Sequence, residues 1–193
     1  MKLFNKTNTL LIFLLVLLTS CQKNTPKPYG YYRIDLPENN YRSFSSLDYP
    51  YSFNLSTSAQ IVEIPDNKDD KYWIDIYYPK LNGKIYCSYK QIKNNFQDIS
   101  EDTREFVYKH TIKADEITEQ VFENHKNKTY GILYRLEGNT ASSIQFTLTD
   151  STQYIFRGAL YFNSPPNRDS IAPVLNFIEK DIIEIMESFQ HEK

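Results

Sequence analysis

The amino-acid sequence predicts an α+β domain in which helices pack against a meander of antiparallel strands. Runs rich in β-branched and aromatic residues recur along the chain, and short turn-forming segments separate them. Connections this short join antiparallel neighbours, because a parallel pair needs a crossover of about a dozen residues. Two other stretches, one central and one near the carboxyl end, place apolar residues at helical spacing.

The amino-terminal segment 1–20 is predicted to be an export signal that is cleaved from the mature chain. Lys2 and Lys6 precede an uninterrupted apolar run from Leu10 to Leu18. This run is too short for the core of a bilayer, which needs about 20 apolar residues, and it has the layout of a signal peptide. Cleavage removes two of the 22 basic residues and leaves 20 against 24 acidic ones, a net charge of −4. Nucleic acid is therefore not an expected partner, because its phosphates require a basic field.

Cys21 is the predicted site of membrane attachment. The residues from Leu18 to Cys21 resemble a bacterial lipobox, with a branched apolar residue three positions before the cysteine and small residues next to it. In a lipobox the sulfur carries diacylglycerol and the freed amine carries a third acyl chain. Each buried methylene contributes about 0.8 kcal/mol, so several chains make the attachment effectively permanent. The alternative is an ordinary cysteine beside a plain cleavage site.

A tether and one globular domain follow the export signal. Residues 21–28 comprise the lipidated cysteine and a polar segment with two prolines, which reaches about 20 Å at most. The domain occupies residues 29–193, a length that can bury a core without metal or disulfide staples. With Cys21 modified, Cys87 has no partner for an internal disulfide. Its apolar and aromatic neighbours predict a buried thiol, and a nucleophilic role is the alternative.

An aromatic arm opens the domain. Alternation at Tyr32, Ile34 and Leu36 predicts a strand or an extended arm that packs on the domain. The alternative is a partner-binding segment, since Tyr and Arg are enriched at interface hot spots. The candidate contact residues in this arm are Tyr29, Tyr31, Arg33 and Asp35.

Strands are predicted in the first half of the domain. Tyr51–Leu55 and Gln60–Ile64 have the composition of short strands. Tyr72–Tyr78 and Lys84–Tyr89 predict a hairpin around a turn at residues 79–83.

Two helices are predicted. Apolar residues recur at helical spacing between Ile92 and His110, which predicts a central helix. A closing helix is predicted after Ser170, which can act as its N-cap and places Pro173 in the permissive first turn. The apolar face of this helix should pack on the sheet, and it consists of Val174, Ile178, Ile182, Ile185 and Phe189.

Four successive strands between the helices predict the meander itself. Gly138-Asn139 can supply a positive φ, and Asp150-Ser151 can form a tight turn. The segment 124–128 is a polar connection. The predicted strands are Ile117–Glu123, Tyr130–Glu137, Ser143–Thr149 and Tyr154–Phe162.

Six segments of the chain carry a more specific signal: Pro28–Pro37, Tyr108–Asp115, Tyr130–Tyr134, Gly138–Ser151, Arg157–Phe162 and Pro166–Val174. In this order they resemble the gliding-motility lipoprotein family GldD of Bacteroidetes. The likeness extends over nearly the whole chain, and the lipobox agrees with it independently.

The resemblance implies an outer-membrane lipoprotein that is required for gliding and associated with the type IX secretion machinery, without an assigned catalytic activity. A meander flanked by helices is also similar to the Mog1 or PsbP-like α/β sandwich. Surface-exported lipoproteins of Bacteroidetes commonly carry acidic residues after the cysteine, and none follows Cys21 in the tether. This favours the periplasmic side of the outer membrane.

The sequence lacks the common catalytic and metal-binding motifs, which does not favour an enzyme. The sequence contains no Gly-x-Ser-x-Gly elbow, His-Glu-x-x-His pair, Walker loop or dinucleotide glycine fingerprint. Its three histidines are far apart in sequence, which does not favour a metal site. We therefore predict a non-enzymatic protein without metal or cofactor. The nucleophiles that stay open as alternatives are a Cys87–His110 dyad and Ser142 or Ser143 beside Asn139.

Two polar segments, 138–143 and 163–170, are candidates for contact with a partner. The simplest interpretation is that they are loops in which Gly, Asn, Ser and Pro satisfy backbone geometry. Polar loop side chains contribute little to a core, however, and loops commonly carry binding residues. The candidate contact residues in and near these segments are Asn139, Arg157, Asn167, Arg168 and Asp169.

Two functional hypotheses follow. The preferred one is a non-enzymatic, lipid-tethered scaffold that binds protein components of the gliding or secretion apparatus at the inner leaflet of the outer membrane. The alternative is a periplasmic lipoprotein that binds peptidoglycan or another polysaccharide, since 16 tyrosines offer rings that can stack on sugars. Most of these tyrosines alternate along strands, which also suits a role in the sheet and core.

Overall fold

The computed structural model describes residues 34–65, 71–109, 114–163 and 168–192, and only the backbone of residues 168–170. The described chain forms strands and two helices in an order that matches the predicted α+β class. They are β1 Tyr41–Phe44, β2 Tyr51–Ser56, β3 Gln60–Glu63, β4 Ile74–Tyr78, β5 Gly83–Gln91, α1 Phe96–Tyr108, β6 Ile117–Asn124, β7 Thr129–Leu136, β8 Ser142–Thr149, β9 Tyr154–Phe162, α2 Arg168–Ser188 and β10 Gln190–His191.

One antiparallel sheet of seven strands organises the domain, in the order β3-β4-β5-β9-β8-β7-β6. The strands from β6 to β9 form the predicted antiparallel meander. The long pairing of β5 with β9 joins this meander to the strands of the first half. A small second sheet has the order β1-β2-β10.

The main core lies between α2 and one face of the seven-stranded sheet, which we call the inner face. The predicted apolar face of α2 is buried there, and Ile178 and Ile182 are inaccessible to solvent. Strand β2 adds Tyr51 and Phe53, whose rings contact Phe156 of β9. Each large apolar side chain buried in this way contributes about 1.5–3 kcal/mol, so this face is the main source of stability.

Helix α1 packs on the opposite face of the sheet, which we call the outer face. Its Val107 is buried against Tyr134 and Leu136 of β7. This cluster is much smaller than the main core. Farther along the outer face, Tyr86 of β5 and Val62 of β3 are 47% and 42% exposed. Helix α1 therefore covers only part of the outer face.

Two helix predictions require correction. Ile92 lies before α1, in the connection from β5, where its backbone N–H donates to the carbonyl of Gln153. Helix α2 begins at Arg168, so Ser170 is already helical and cannot hold the non-helical N-cap conformation. Pro173 consequently lies inside α2, where the ladder loses the hydrogen bond to the carbonyl of Asp169.

The strand prediction at the start of the domain was also wrong in part. Residues 34–40 contain no strand, and the side chains of Ile34 and Leu36 are exposed. Pro37 has no N–H to donate to a neighbouring strand, which disfavours pairing there. The first strand is β1 instead, and neither β1 nor the short β10 was predicted.

Candidate functional site

The candidate site is the part of the outer face that surrounds Arg157. Strand alternation places Arg157 of β9 on the outer face, because Phe156 and Gly158 point to the main core. Thr147 of β8 is its direct partner on one side, and Ser88 of β5 is its partner on the other. Gln145 lies two residues before Thr147, on the same face of β8.

Arg157 is held by contacts from two elements. Its Nη2 donates a hydrogen bond of 2.6 Å to Oε1 of Gln145. The ring of Phe106, on α1, lies over the guanidinium with a centroid distance of 5.1 Å. Burial lowers the pKa of Arg157, because desolvation disfavours the charged form. The ion pairs formed by described residues do not include this guanidinium.

Several polar atoms of this cluster have no hydrogen-bond partner among the residues that the structure describes. They are Nε of Arg157, Nε2 of Gln145 and Oγ1 of Thr147, and all three are buried. Gln145 is wholly inaccessible to solvent. An unsatisfied buried polar group costs about 1–3 kcal/mol, so three neighbouring ones are a substantial local cost. Buried polar atoms are normally hydrogen-bonded, so this group needs additional partners, which an ordered water, an ion or a binding partner can supply.

Aromatic side chains border the cluster. Phe106 is 46% exposed although it lies over Arg157. Tyr86 of β5 contacts Tyr161 of β9 edge to face, with 5.4 Å between ring centroids. We call Phe106, Tyr86 and Tyr161 the aromatic patch. Aromatic residues and Arg are the types enriched in protein interfaces.

An ion pair lies at the far side of the aromatic patch. Nζ of Lys84 is 3.0 Å from Oδ2 of Asp75, and the same ammonium lies 5.1 Å from the centroid of Tyr86. The hydrogen bond to Asp75 raises the pKa of Lys84, so the ammonium stays charged. Asp75 keeps one buried oxygen, Oδ1, without a hydrogen-bond partner.

A groove of about 380 Å³ lies on the outer face between α1 and the β6–β7 end of the sheet. Thr147 contributes to its wall, which places the groove beside the Arg157 cluster. Its rim includes Tyr130 and the 69% exposed Val121 of the edge strand β6. On this rim the hydroxyl of Tyr108 donates to Oε1 of Glu119 over 2.5 Å.

The structure separates the predicted contact residues. Asn139 is exposed in the turn between β7 and β8, where Gly138 adopts the predicted positive φ of 94°. Asp35 is exposed in the segment before β1. Arg157 lies in the middle of β9, several residues along the sheet from Asn139. Cys21, Tyr29, Tyr31, Arg33 and Asn167 lie outside the described residues, and of Arg168 and Asp169 only the helical backbone is described.

Two of the residues considered as alternative nucleophiles, Cys87 and Ser142, have structural roles. Cys87 is buried in the main core, as predicted, and its Sγ lies 3.9 Å from the carbonyl oxygen of Ile85. Burial raises the pKa of the Cys87 thiol, which keeps it protonated and unreactive. The hydroxyl of Ser142 donates to the carbonyl of Ile144. His110 lies outside the described residues.

Sequence reasoning missed the residues that surround Arg157. Gln145 and Thr147 are simply the polar side of an alternating strand, and Tyr86 belongs to a distant one. Part of the signal was present, because the turn at Asp150–Ser151 fixes the register of β8 on β9 and places Thr147 opposite Arg157.

The described part of the chain contains neither a candidate metal site nor a helix that could span a membrane. The acidic residues, histidines and cysteine there form no group of three that could hold a metal ion. Neither described helix has the length and apolar character needed to cross a membrane.

The fold and the site define an α+β domain built on one antiparallel sheet, with a polar, aromatic-bordered surface on its partly covered face. The family model for the gliding motility lipoprotein GldD matches residues 21–191. The chain therefore belongs to this family of gliding motility lipoproteins, and the resemblance found in the sequence is confirmed. The match begins at Cys21, the predicted lipidated residue.

The chain is also similar to a solved structure, cyanobacterial PsbP (CyanoP) from Synechocystis sp. PCC 6803 in solution. The two sequences are 10% identical, the match covers 86% of this chain and 99% of the other, and the TM-score is 0.47. No sequence among the curated proteins compared with it matches this chain.

Proposed function

We propose that this gliding motility lipoprotein is a non-enzymatic scaffold of the gliding and type IX secretion apparatus, anchored in the outer membrane through acyl chains on Cys21 and facing the periplasm. It acts by binding protein components of that apparatus. The family membership supports the role in gliding and the lipid anchor. The short polar tether of residues 22–28 keeps the domain within about 20 Å of its membrane.

The observation that carries the binding role is the Arg157 surface. It combines an aromatic patch, a half-buried cation and unused hydrogen-bond donors on a sheet face that α1 covers only in part. Interface hot spots are rich in Tyr and Arg, and they lie in places where water is excluded on binding. The predicted contact residues of the arm and the polar loops, including Asp35 and Asn139, are proposed to contact partners at places separate from the Arg157 surface.

Site-specific crosslinking in cells tests the proposal. A photo-crosslinking amino acid replaces Tyr86 on the aromatic patch, and in a matched control it replaces Lys180, which is exposed on α2. We expect adducts with a gliding or secretion subunit from position 86 and none, or far fewer, from position 180. Equal recovery of bulk envelope proteins from both positions would count against the proposal.

The lipid anchor has its own test. Palmitate should label the wild-type protein and leave the Cys21→Ala variant unlabelled. Labelling that persists in the variant would exclude Cys21 as the attachment site. Separation of inner and outer membranes then tests the proposed location.

A second candidate function is peptidoglycan or polysaccharide binding. The exposed ring of Tyr86 beside Tyr161 favours it, because such rings can stack on sugars. The mature lipoprotein, solubilised in detergent, is incubated with purified peptidoglycan at physiological salt. Retention that is lost in a Tyr86→Ala variant supports this second function, and no retention excludes it.

A further inference from the structure

We propose that Arg157, Gln145 and Thr147 form a recognition site for a carboxylate, and that its occupant is an acidic side chain of a protein partner. The inference rests on the proposed function and adds the chemistry by which the partner is recognised. A half-buried cation and three polar atoms without hydrogen-bond partners among the described residues are grouped on one face of the sheet.

The charge of Arg157 is the first step. The guanidinium has no carboxylate partner among the described residues, and it donates a hydrogen bond to the neutral amide oxygen of Gln145. Asp75 lies two strands away from Arg157, on β4, and Lys84 already neutralises it. A buried charge without a counter-ion is costly, so an anion from outside is favoured.

Hydrogen-bond polarity is the second step. Nε of Arg157 and Nε2 of Gln145 are donors, and the hydroxyl of Thr147 can donate as well. An ionised carboxylate is an acceptor only and offers about four lone-pair sites, so it complements all three atoms at once. A neutral amide or hydroxyl would bring donors of its own and leave the charge uncompensated. The arrangement therefore selects an anion over a neutral polar group.

The surroundings indicate where the carboxylate comes from. Phe106 lies over the guanidinium and remains half exposed. Farther along the same face, Tyr86 pairs with Ala159 of β9 and its ring contacts Tyr161. A peptide segment can bury these rings with its own apolar side chains while one Asp or Glu reaches Arg157. A free inorganic anion would leave the aromatic patch exposed, so we favour an acidic protein segment.

The first experiment measures carboxylate recognition directly. The mature lipoprotein in detergent micelles is labelled with ¹⁵N-arginine, and the Nε–Hε signal of Arg157 is followed during titration. The probes are N-acetylglutamate amide, its neutral analogue N-acetylglutamine amide, and inorganic phosphate. We expect a saturable shift with the glutamate probe only. Equal shifts with the glutamine probe, or tighter binding of phosphate, would overturn the carboxylate assignment.

Two variants and a control keep this result interpretable. Arg157→Gln removes the cation, and Gln145→Glu supplies a carboxylate from within the chain that should occupy the site. Arg42→Gln neutralises an exposed arginine on β1. Binding of the glutamate probe, followed at the backbone amides of β8 and β9, should be lost in both site variants and kept in the control. Binding that survives Gln145→Glu, a substitution that retains the side-chain size, would refute the proposal even if Arg157→Gln does not fold.

The second experiment separates this inference from the proposed function. Crosslinking from position 86 is repeated in cells that carry Arg157→Gln or Gln145→Glu, and adduct yield should fall about tenfold, as expected for loss of a charge-assisted contact. Full yield in both variants would reject the carboxylate site and leave the scaffold role intact. If wild type gives no protein adduct while the glutamate probe still binds, the scaffold role and the protein occupant are both rejected.

Discussion

Tyr78 and Asp181 form a hydrogen bond of 3.1 Å in the centre of the main core. Asp181 is inaccessible to solvent, and its other oxygen accepts a hydrogen bond of 2.8 Å from the side-chain amide of Asn39. Burial raises the pKa of Tyr78, and the neighbouring Asp181 adds to this effect, so the phenol stays protonated and able to donate. One carboxylate thus joins β4, α2 and the segment before β1.

Removal of the Tyr78 hydroxyl should destabilise the protein. Tyr78→Phe removes one donor from a buried carboxylate with which Asn39 and the hydroxyl of Tyr41 still interact, at a cost of about 0.5–1.5 kcal/mol in the free energy of unfolding. Urea denaturation measures the change, and Tyr86→Phe on the exposed outer face serves as the control, with a change within about 0.5 kcal/mol. Equal stabilities of the two variants would mean that the bond to Asp181 contributes nothing net.

Gly158 should not tolerate a side chain. It lies opposite Phe146 in the β8–β9 pair, and a methyl group at position 158 would overlap the ring of that fully buried phenylalanine. Because Phe146 is fully buried, its ring can shift only by displacing core neighbours, and Gly158→Ala should cost about 1–3 kcal/mol or more. The shift of the urea midpoint between wild type and Gly158→Ala measures this loss of stability.

Gly83→Ala provides the matched control for this prediction. A methyl group there meets the end of the Ile178 side chain at 3.0 Å and the ring of Phe162 at 3.3 Å, contacts that are much less severe than those at position 158. We also expect Phe146→Leu to recover part of the loss in the Gly158→Ala background, because the two positions are in contact. Strict additivity of the two substitutions would show that the ring is not the obstacle.

Local sequence pattern predicted most of the strands and both helices, but it did not predict how they assemble. The turn at Asp150–Ser151 and the alternation of β8 and β9 are local features, and both were predictable. The pairing of β5 with β9, which brings Tyr86 beside Tyr161, joins segments that are far apart in the chain, and no short-range signal specifies it. The strand register that completes the candidate site depends on this long-range pairing.

The residues of the candidate site were also predictable only in part. Arg157 was among the contact residues predicted in and near the two polar segments, whereas Gln145 was not predicted. Gln145 is completely buried and pairs with Tyr134 of β7, which packs against Val107 of α1, and periodicity alone does not fix how a helix lies across a sheet.

Stability should fall at alkaline pH because of buried tyrosines. Burial raises the pKa of Tyr154 to about 12, and its hydroxyl lies 3.2 Å from Oγ1 of Thr129 inside the domain. In the unfolded chain a tyrosine has a pKa of about 10. The contribution is therefore fully present below about pH 10, and it is lost as the pH rises toward 12, since the unfolded chain releases its proton first.

Urea denaturation across this pH range measures the effect. The free energy of unfolding should fall with a slope of at most about 1.4 kcal/mol per pH unit for each such tyrosine. Tyr154→Phe should make the slope shallower, whereas Tyr130→Phe, at a more exposed position, should change it less. A slope that Tyr154→Phe leaves unaltered would assign the alkaline loss to other groups.

Arg157 should be dispensable for folding although it is proposed to be essential for binding. Its guanidinium is desolvated without a carboxylate partner, so Arg157→Met should leave the free energy of unfolding unchanged or raise it by about 1 kcal/mol.

Arg135→Met is the matched control from the neighbouring region of the same sheet. Arg135 forms a 2.6 Å ion pair with Glu179 of α2, so its loss should lower stability by about 1 kcal/mol or more. Thermal and urea unfolding of the two variants, with crosslinking from position 86, tests both statements. A large destabilisation by Arg157→Met would show that this cation is retained for the fold, and it would remove the argument that an external carboxylate completes the site.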